Sequence, residues 1–161
     1  MKTFLNNHRV RGLRNNNPGN LIITNIGWQG KLSATQRTDS KFEQFSTLQF
    51  GIRAQLKDLI HDINKGKNNV RALISEYAPT NENNTKAYID SVCKTIGVTA
   101  TQKLTQINEQ FLVKLARAIY KVELGNSHTD VSDNDILGAI KSLGNVSTAT
   151  LKVEINPNFF F

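Results

Sequence analysis

Cysteine is almost missing. The 161 residues hold one, Cys93, so no disulfide can form within the chain. Cys93 sits between Ile89 and Ile96, and no local histidine signature accompanies it, so it reads as a buried structural thiol. Long apolar runs are missing too. No stretch approaches the roughly 20 residues of a membrane-crossing helix, and the opening residues, Met1 to Arg9, lack the apolar core of a secretory signal. His8, His61 and His128 are scattered, and they assemble no metal-ligand pattern with Cys93. Neither a Gly-rich phosphate loop nor a serine elbow occurs. Metal and organic cofactors are therefore not expected. Internal repeats and low-complexity segments are also lacking.

What remains is an ordinary globular composition, 39% apolar and 20% charged, with enough residues for one domain with a core. The formal net charge is +7. That sign favours an anionic partner, either nucleic acid, an anionic surface or a bacterial wall polymer. The basic residues form no dense run with interleaved aromatics, so nucleic acid is not expected.

The chain reads as mainly α within an α+β class, with short N-terminal strands and about five helices. Residues 11–20 form a polar turn segment with two arginines and four asparagines. Its amides read either as self-satisfied turn residues or as ligand contacts. Leu21 to Thr24 and Phe42 to Phe45 read as short strands. Trp28, the sole tryptophan, stands between glycines as a core plug or as a platform for a sugar ring. From Leu48 the apolar period is helical: Ile52, Leu56, Leu59, Ile60 and Ile63 share a face. Further helices follow over Val70–Tyr77, up to Ile96, from about Asn108 to a stop at Gly125, and from a Ser132/Asp135 capping pair to Gly144. Leu151, Val153 and Ile155 alternate with charged residues as a last strand. Phe159, Phe160 and Phe161 would be an exposed apolar patch unless they dock.

One connection organises the rest. Pro79 disfavours helix at Ala78, and Asn83, Asn84 or Thr85 offers a cap for the next helix. Glu82 is thereby placed at a helix start, where the dipole favours its ionised form. It reads as a solvated acid, or as a general acid only if burial or a second carboxylate raises its pKa.

The ordered motifs RGLRNNNPGN (Arg11 to Asn20), Trp28-Gln29-Gly30, Asp39 with Phe42 and Phe45, Gly51-Ile52-Arg53-Ala54, and Tyr77-Ala78-Pro79 followed by Glu82-Asn83-Asn84-Thr85 and Tyr88 resemble a family of phage and prophage virion structural proteins. Relatives of that kind also occur as bacterial cargo near lysis or secretion genes. The resemblance covers residues 11–98 of an expected single domain 1–161, leaving 99–161 as a helical extension with a C-terminal strand. It implies a lysozyme-like, cell-wall-directed protein whose partner is bacterial peptidoglycan, with a virion or secretion-machine partner besides. It implies glycan cleavage with Glu82 as general acid and Asp39 as the second carboxylate. Arg14, Asn15, Asn17, Asn20, Trp28, Arg53, Asn83, Thr85 and Tyr88 would contact substrate. The order departs from the usual lysozyme pattern, because the strands come first and Glu82 begins a helix. The alternatives are a peptidoglycan crosslink endopeptidase and a virion component that grips the wall without cutting it. Without a signal peptide, the protein is expected to be made in the cytoplasm and to reach the wall by virion, lysis or secretion machinery.

Overall fold

Helix starts are written locally in this chain, and four of them carry side-chain caps. Thr47 caps α2 (Leu48–Asn64), Asn69 caps α3 (Val70–Tyr77) and Asn108 caps α5 (Glu109–Leu124), each accepting a backbone N–H of the first turn. Ser132 and Asp135 form a reciprocal capping box at α6 (Asp133–Ser142), as their spacing predicts. The remaining helices are the single turn α1 (Arg11–Arg14) and α4 (Glu82–Ile96). A 3-10 turn over Gly125–Asp130 links α5 to α6. The computed structural model describes residues 1–78 and 82–144, and within α4 it describes side chains from Asn84 onward. The expected strand at 151–155, the phenylalanines 159–161, Pro79 and the side chains of Glu82 and Asn83 lie outside the described residues.

The protein is mainly helical, with six α-helices among the described residues. α5 is central: it packs against α4 and α6, α6 also packs on α2, and α3 bridges α2 and α4. The apolar stripes meet in one cluster that includes Leu59, Leu73, Val92, Leu115, Ile119 and Ile136. Burying such side chains contributes about 1.5–3 kcal/mol each before the entropy of ordering them is subtracted.

The expected N-terminal strands do not form. Among the described residues there is no strand, only two isolated antiparallel bridges, Ile22 with Phe42 and Lys31 with Phe45. Side chains occupy the backbone groups that a ladder would use. The Asn17 amide donates to the carbonyls of Leu21 and Glu43 and accepts from Leu21 N–H. Asp39 takes the N–H groups of Lys41 and Phe42, and the Asn16 amide takes the carbonyl of Phe45. Two backbone bonds join the segments, Ile23 N–H to the Lys41 carbonyl and Glu43 N–H to the Leu21 carbonyl, but polar side chains take the groups that would extend them into a ladder. Gly51 lets α2 lie directly on this loop, because a Cβ there would collide with the Asn16 carbonyl. Trp28 plugs a second apolar cluster with Leu21, Phe45 and Ala54.

Candidate functional site

The larger of two clefts that meet at Tyr77 has a volume of about 580 Å³. One wall is the end of the asparagine loop, Gly19, Asn20 and Ile22, together with Lys41 and Phe42. The other is built from the end of α3, the first turns of α4 and the last turn of α5, which contribute Tyr77, Thr85, Tyr88, Val122 and Glu123. Ile22 and Val122 are the large apolar side chains left exposed beside Met1, and both stand on this cleft.

Glu123 is the carboxyl group that the described residues bring to the cleft. Burial pushes its pKa above the ordinary carboxylate value, partly opposed by two hydrogen bonds. Asn20 Nδ2 donates to Oε1 at 3.1 Å, and the Tyr88 hydroxyl lies 3.4 Å from Oε2. Position adds to burial, since the C-terminal end of a helix carries the negative pole of its dipole. Glu123 lies in the last turn of α5, so its ionised form is disfavoured there as well.

A second cleft of about 240 Å³ shares Asn20, Ile22 and Tyr77 with the first. It holds Asp58, Asp62 and Glu76 beside Ile26 and Trp28. Burial, then the charges of Asp62 and Glu76, push the Asp58 carboxyl up to about 7. Tyr77 separates the two clefts. Its hydroxyl donates to the Gly19 carbonyl, and burial raises its pKa well above the ordinary phenol, with the charges of Tyr88, Glu123 and Asp58 adding to it. The two perturbed carboxyl groups therefore flank one phenol. Among the described residues no group of three His, Cys, Asp or Glu side chains is arranged to hold a metal ion.

The Asp58 shift has a measurable consequence. Its folded pKa of about 7 lies above the ordinary aspartate value of about 3.9. The fold thus binds the proton more tightly than the unfolded chain. That contribution to stability is fully present below about pH 4 and is lost as the pH rises through about 7. Asp58→Asn, which has no proton to lose, should melt higher than the wild type at about pH 8, by on the order of 1 kcal/mol or more. The difference should vanish near pH 4. A variant that melts below the wild type at both pH values would mean that the ionised Asp58 is needed for packing.

The residues expected from the sequence divide into two groups. Asn20, Thr85 and Tyr88 meet in the larger cleft. Thr85 also closes the α3–α4 connection by donating to the Ala78 carbonyl at 3.0 Å. Asp39, Arg14, Asn15 and Asn17 brace the loop instead. Asp39 receives Arg11 through two bonds at 2.7 and 2.8 Å and Asn15 at 2.9 Å. Arg11, with the backbone N–H groups and Asn15, holds its carboxyl well below the usual carboxylate range, so Asp39 stays ionised. Arg14 ties down the carbonyls of His8 and Arg9. Asn15 accepts from Gln44. Asn15 and Asn17 are wholly buried. Trp28 is 5% exposed, a plug whose edge reaches the second cleft. Arg53 lines neither cleft, and burial lowers its pKa. Glu43 is fully buried and paired with Lys31 at 3.0 Å. The backbone of Glu82 begins α4, beside the larger cleft.

Glu123 was not among the expected residues. One signal points to it: an acid directly before the Leu124-Gly125 helix stop, where basic residues are the favoured choice.

No family model matches the chain. Protein P5 of Pseudoalteromonas phage PM2 is 33% identical over 125 residues, which span 75% of this chain and 75% of that protein.

Proposed function

The chain belongs to the family of Protein P5 of Pseudoalteromonas phage PM2, and on that premise we propose that it is a peptidoglycan-directed phage protein that cleaves wall glycan in the larger cleft. Glu123 is the general acid of this proposal. The observation that carries it is a half-buried carboxyl with a raised pKa in the larger cleft, among Phe42, Tyr77 and Tyr88. Protonating a glycosidic oxygen near neutral pH needs a carboxylic acid that keeps its proton there. Aromatic and apolar walls with a few polar groups suit the faces and hydroxyls of sugar rings. Asp58, beyond Tyr77, is the second carboxyl of the proposal, and Asn20, Thr85 and Tyr88 contact the substrate. Glu82 is the weaker candidate for the acid. It stands at the N-terminal end of α4, where the helix dipole favours the ionised form. A lysozyme-like fold and delivery in a phage particle belong to the same proposal.

A second reading has its own support. The relative is a phage protein, and the Glu123 carboxyl is already engaged by Asn20 and Tyr88. Both facts suit a virion component that grips the wall without cutting it. Incubating the full chain with purified peptidoglycan and weighing the soluble products by mass spectrometry separates the readings. Disaccharide-containing fragments are the expected result. Co-sedimentation with the wall and no fragments would replace cleavage by binding, and free stem peptides would move the reaction to the crosslink.

A further inference from the structure

We infer that the Asn20 side-chain amide rotates with the protonation of Glu123, presenting its NH2 to the ionised carboxylate and its Oδ1 to the protonated acid. The inference rests on the reading of Glu123 as the proton-carrying group of the cleft, and it names Asn20 as that group's positioning residue.

Three features of the geometry lead to it. Asn20 adopts a left-handed backbone, φ +51°, which asparagine tolerates better than most residues. Its own N–H is held by the Asn17 carbonyl at 3.0 Å, which fixes the root of the side chain. Nδ2 then donates to Glu123 Oε1 at 3.1 Å. In this arrangement Oδ1 is buried and has no hydrogen-bond partner among the described residues. An orphaned buried acceptor is costly, and here the remedy lies close by. A Cβ placed on Gly12 would stand 3.0 Å from Asn20 Oδ1 and 3.2 Å from the Asn17 carbonyl oxygen. Both oxygens therefore lie over Gly12.

The two ends of an amide have nearly the same shape. Half a turn exchanges them with little change in packing. The NH2 then faces Gly12, and Oδ1 faces Glu123. An ionised carboxylate can only accept, which suits the NH2. A protonated one must donate, which suits Oδ1. No proton leaves Glu123 in this motion; only the rotor turns. The unpaired Oδ1 exists only beside the ionised carboxylate, so it offsets part of what the Nδ2 bond contributes to that form. Among the described residues, the other titratable groups on this cleft are the hydroxyls of Tyr88 on α4 and Tyr77 on α3, with Lys41 on the opposite wall. Asp58 on α2 stands beyond Tyr77.

Nuclear magnetic resonance on the labelled full chain tests this without any substrate. The Glu123 carboxyl carbon gives its titration midpoint. The Asn20 amide protons should shift with that same midpoint, and on its acid side they should gain nuclear Overhauser contacts to the Gly12 α-protons. Glu123→Gln should freeze the Asn20 amide across the whole range. Asn20→Asp keeps the shape and the left-handed backbone, but once ionised it cannot donate, so the Glu123 midpoint should move upward. Asn20 amide protons that never approach Gly12, or that shift unchanged in Glu123→Gln, would overturn the inference. If Asn20→Asp does not fold, the wild-type titration decides alone. Amide rotation in a protein that releases no wall fragments would sink the cleavage reading and leave this one standing. Fragment release with a static amide would do the reverse.

Discussion

Glu123→Gln should cut the release of soluble fragments from purified peptidoglycan by about a hundredfold or more, the usual scale for losing a general acid. Glutamine keeps the length and the hydrogen bonding of the side chain, and the Asn20 amide can turn to meet either end of it. The melting temperature and co-sedimentation with the wall should therefore stay near wild type. Glu82→Gln is the matching control and should keep most of the activity. The opposite pattern, with Glu82→Gln inactive and Glu123→Gln active, would return the acid to the start of α4. The pH profile carries the same argument. A general acid works only while protonated, so activity should fall as the pH rises through the elevated Glu123 midpoint. In Asn20→Asp that fall should begin at higher pH.

Asn17→Ala should be the most damaging single change in the asparagine loop. The Asn17 side chain is wholly buried. It makes three bonds to backbone, at 3.0 and 2.9 Å to the carbonyls of Leu21 and Glu43 and at 2.9 Å from Leu21 N–H. Alanine leaves the Leu21 N–H and the Glu43 carbonyl unpaired, while the Leu21 carbonyl keeps the Glu43 N–H at 2.9 Å. Each such group costs about 1–3 kcal/mol, so a loss of roughly 2 kcal/mol or more is expected, a large share of the 5–15 kcal/mol typical of a whole domain. Urea denaturation measures it directly. The exposed Asn134 is a fair comparison, and its replacement by alanine should change stability by no more than about 0.5 kcal/mol. An Asn17→Ala midpoint equal to that of the wild type would show that the loop is held by something other than this amide. The effect on function should follow from stability, because Asn17 supports the loop that ends in Asn20 and lines neither cleft.

Helices are the legible part of this sequence. Their starts are set by caps that act within three residues, as at Asn108 and Ser132. Their buried faces follow a 3.6-residue period, so the spacing of Ile52, Leu56, Leu59 and Ile60 is enough to assign them to one core, where they lie. The polar loop is legible as a unit, but its role is not. Arg14, Asn15, Asn17 and Asp39 are residue types that serve equally as ligands or as internal braces. Only the fold shows that their partners are backbone groups and one another. The same bonds explain why the segments 21–24 and 42–45 take part in isolated bridges and form no strand. The acid of the cleft is the least legible feature. Glu123 lies 103 residues from Asn20 and 35 from Tyr88, and nothing local marks its burial. A pKa depends on what surrounds a carboxyl in space, and those neighbours come together only when α4 and α5 close against the loop. Caps and periodicity act over a few residues, so the order of amino acids is enough to say where this chain becomes helical and which faces turn inward. Which carboxyl loses its water, and so which one can hold a proton, is set by the packing of distant segments and is written in no single stretch of the chain.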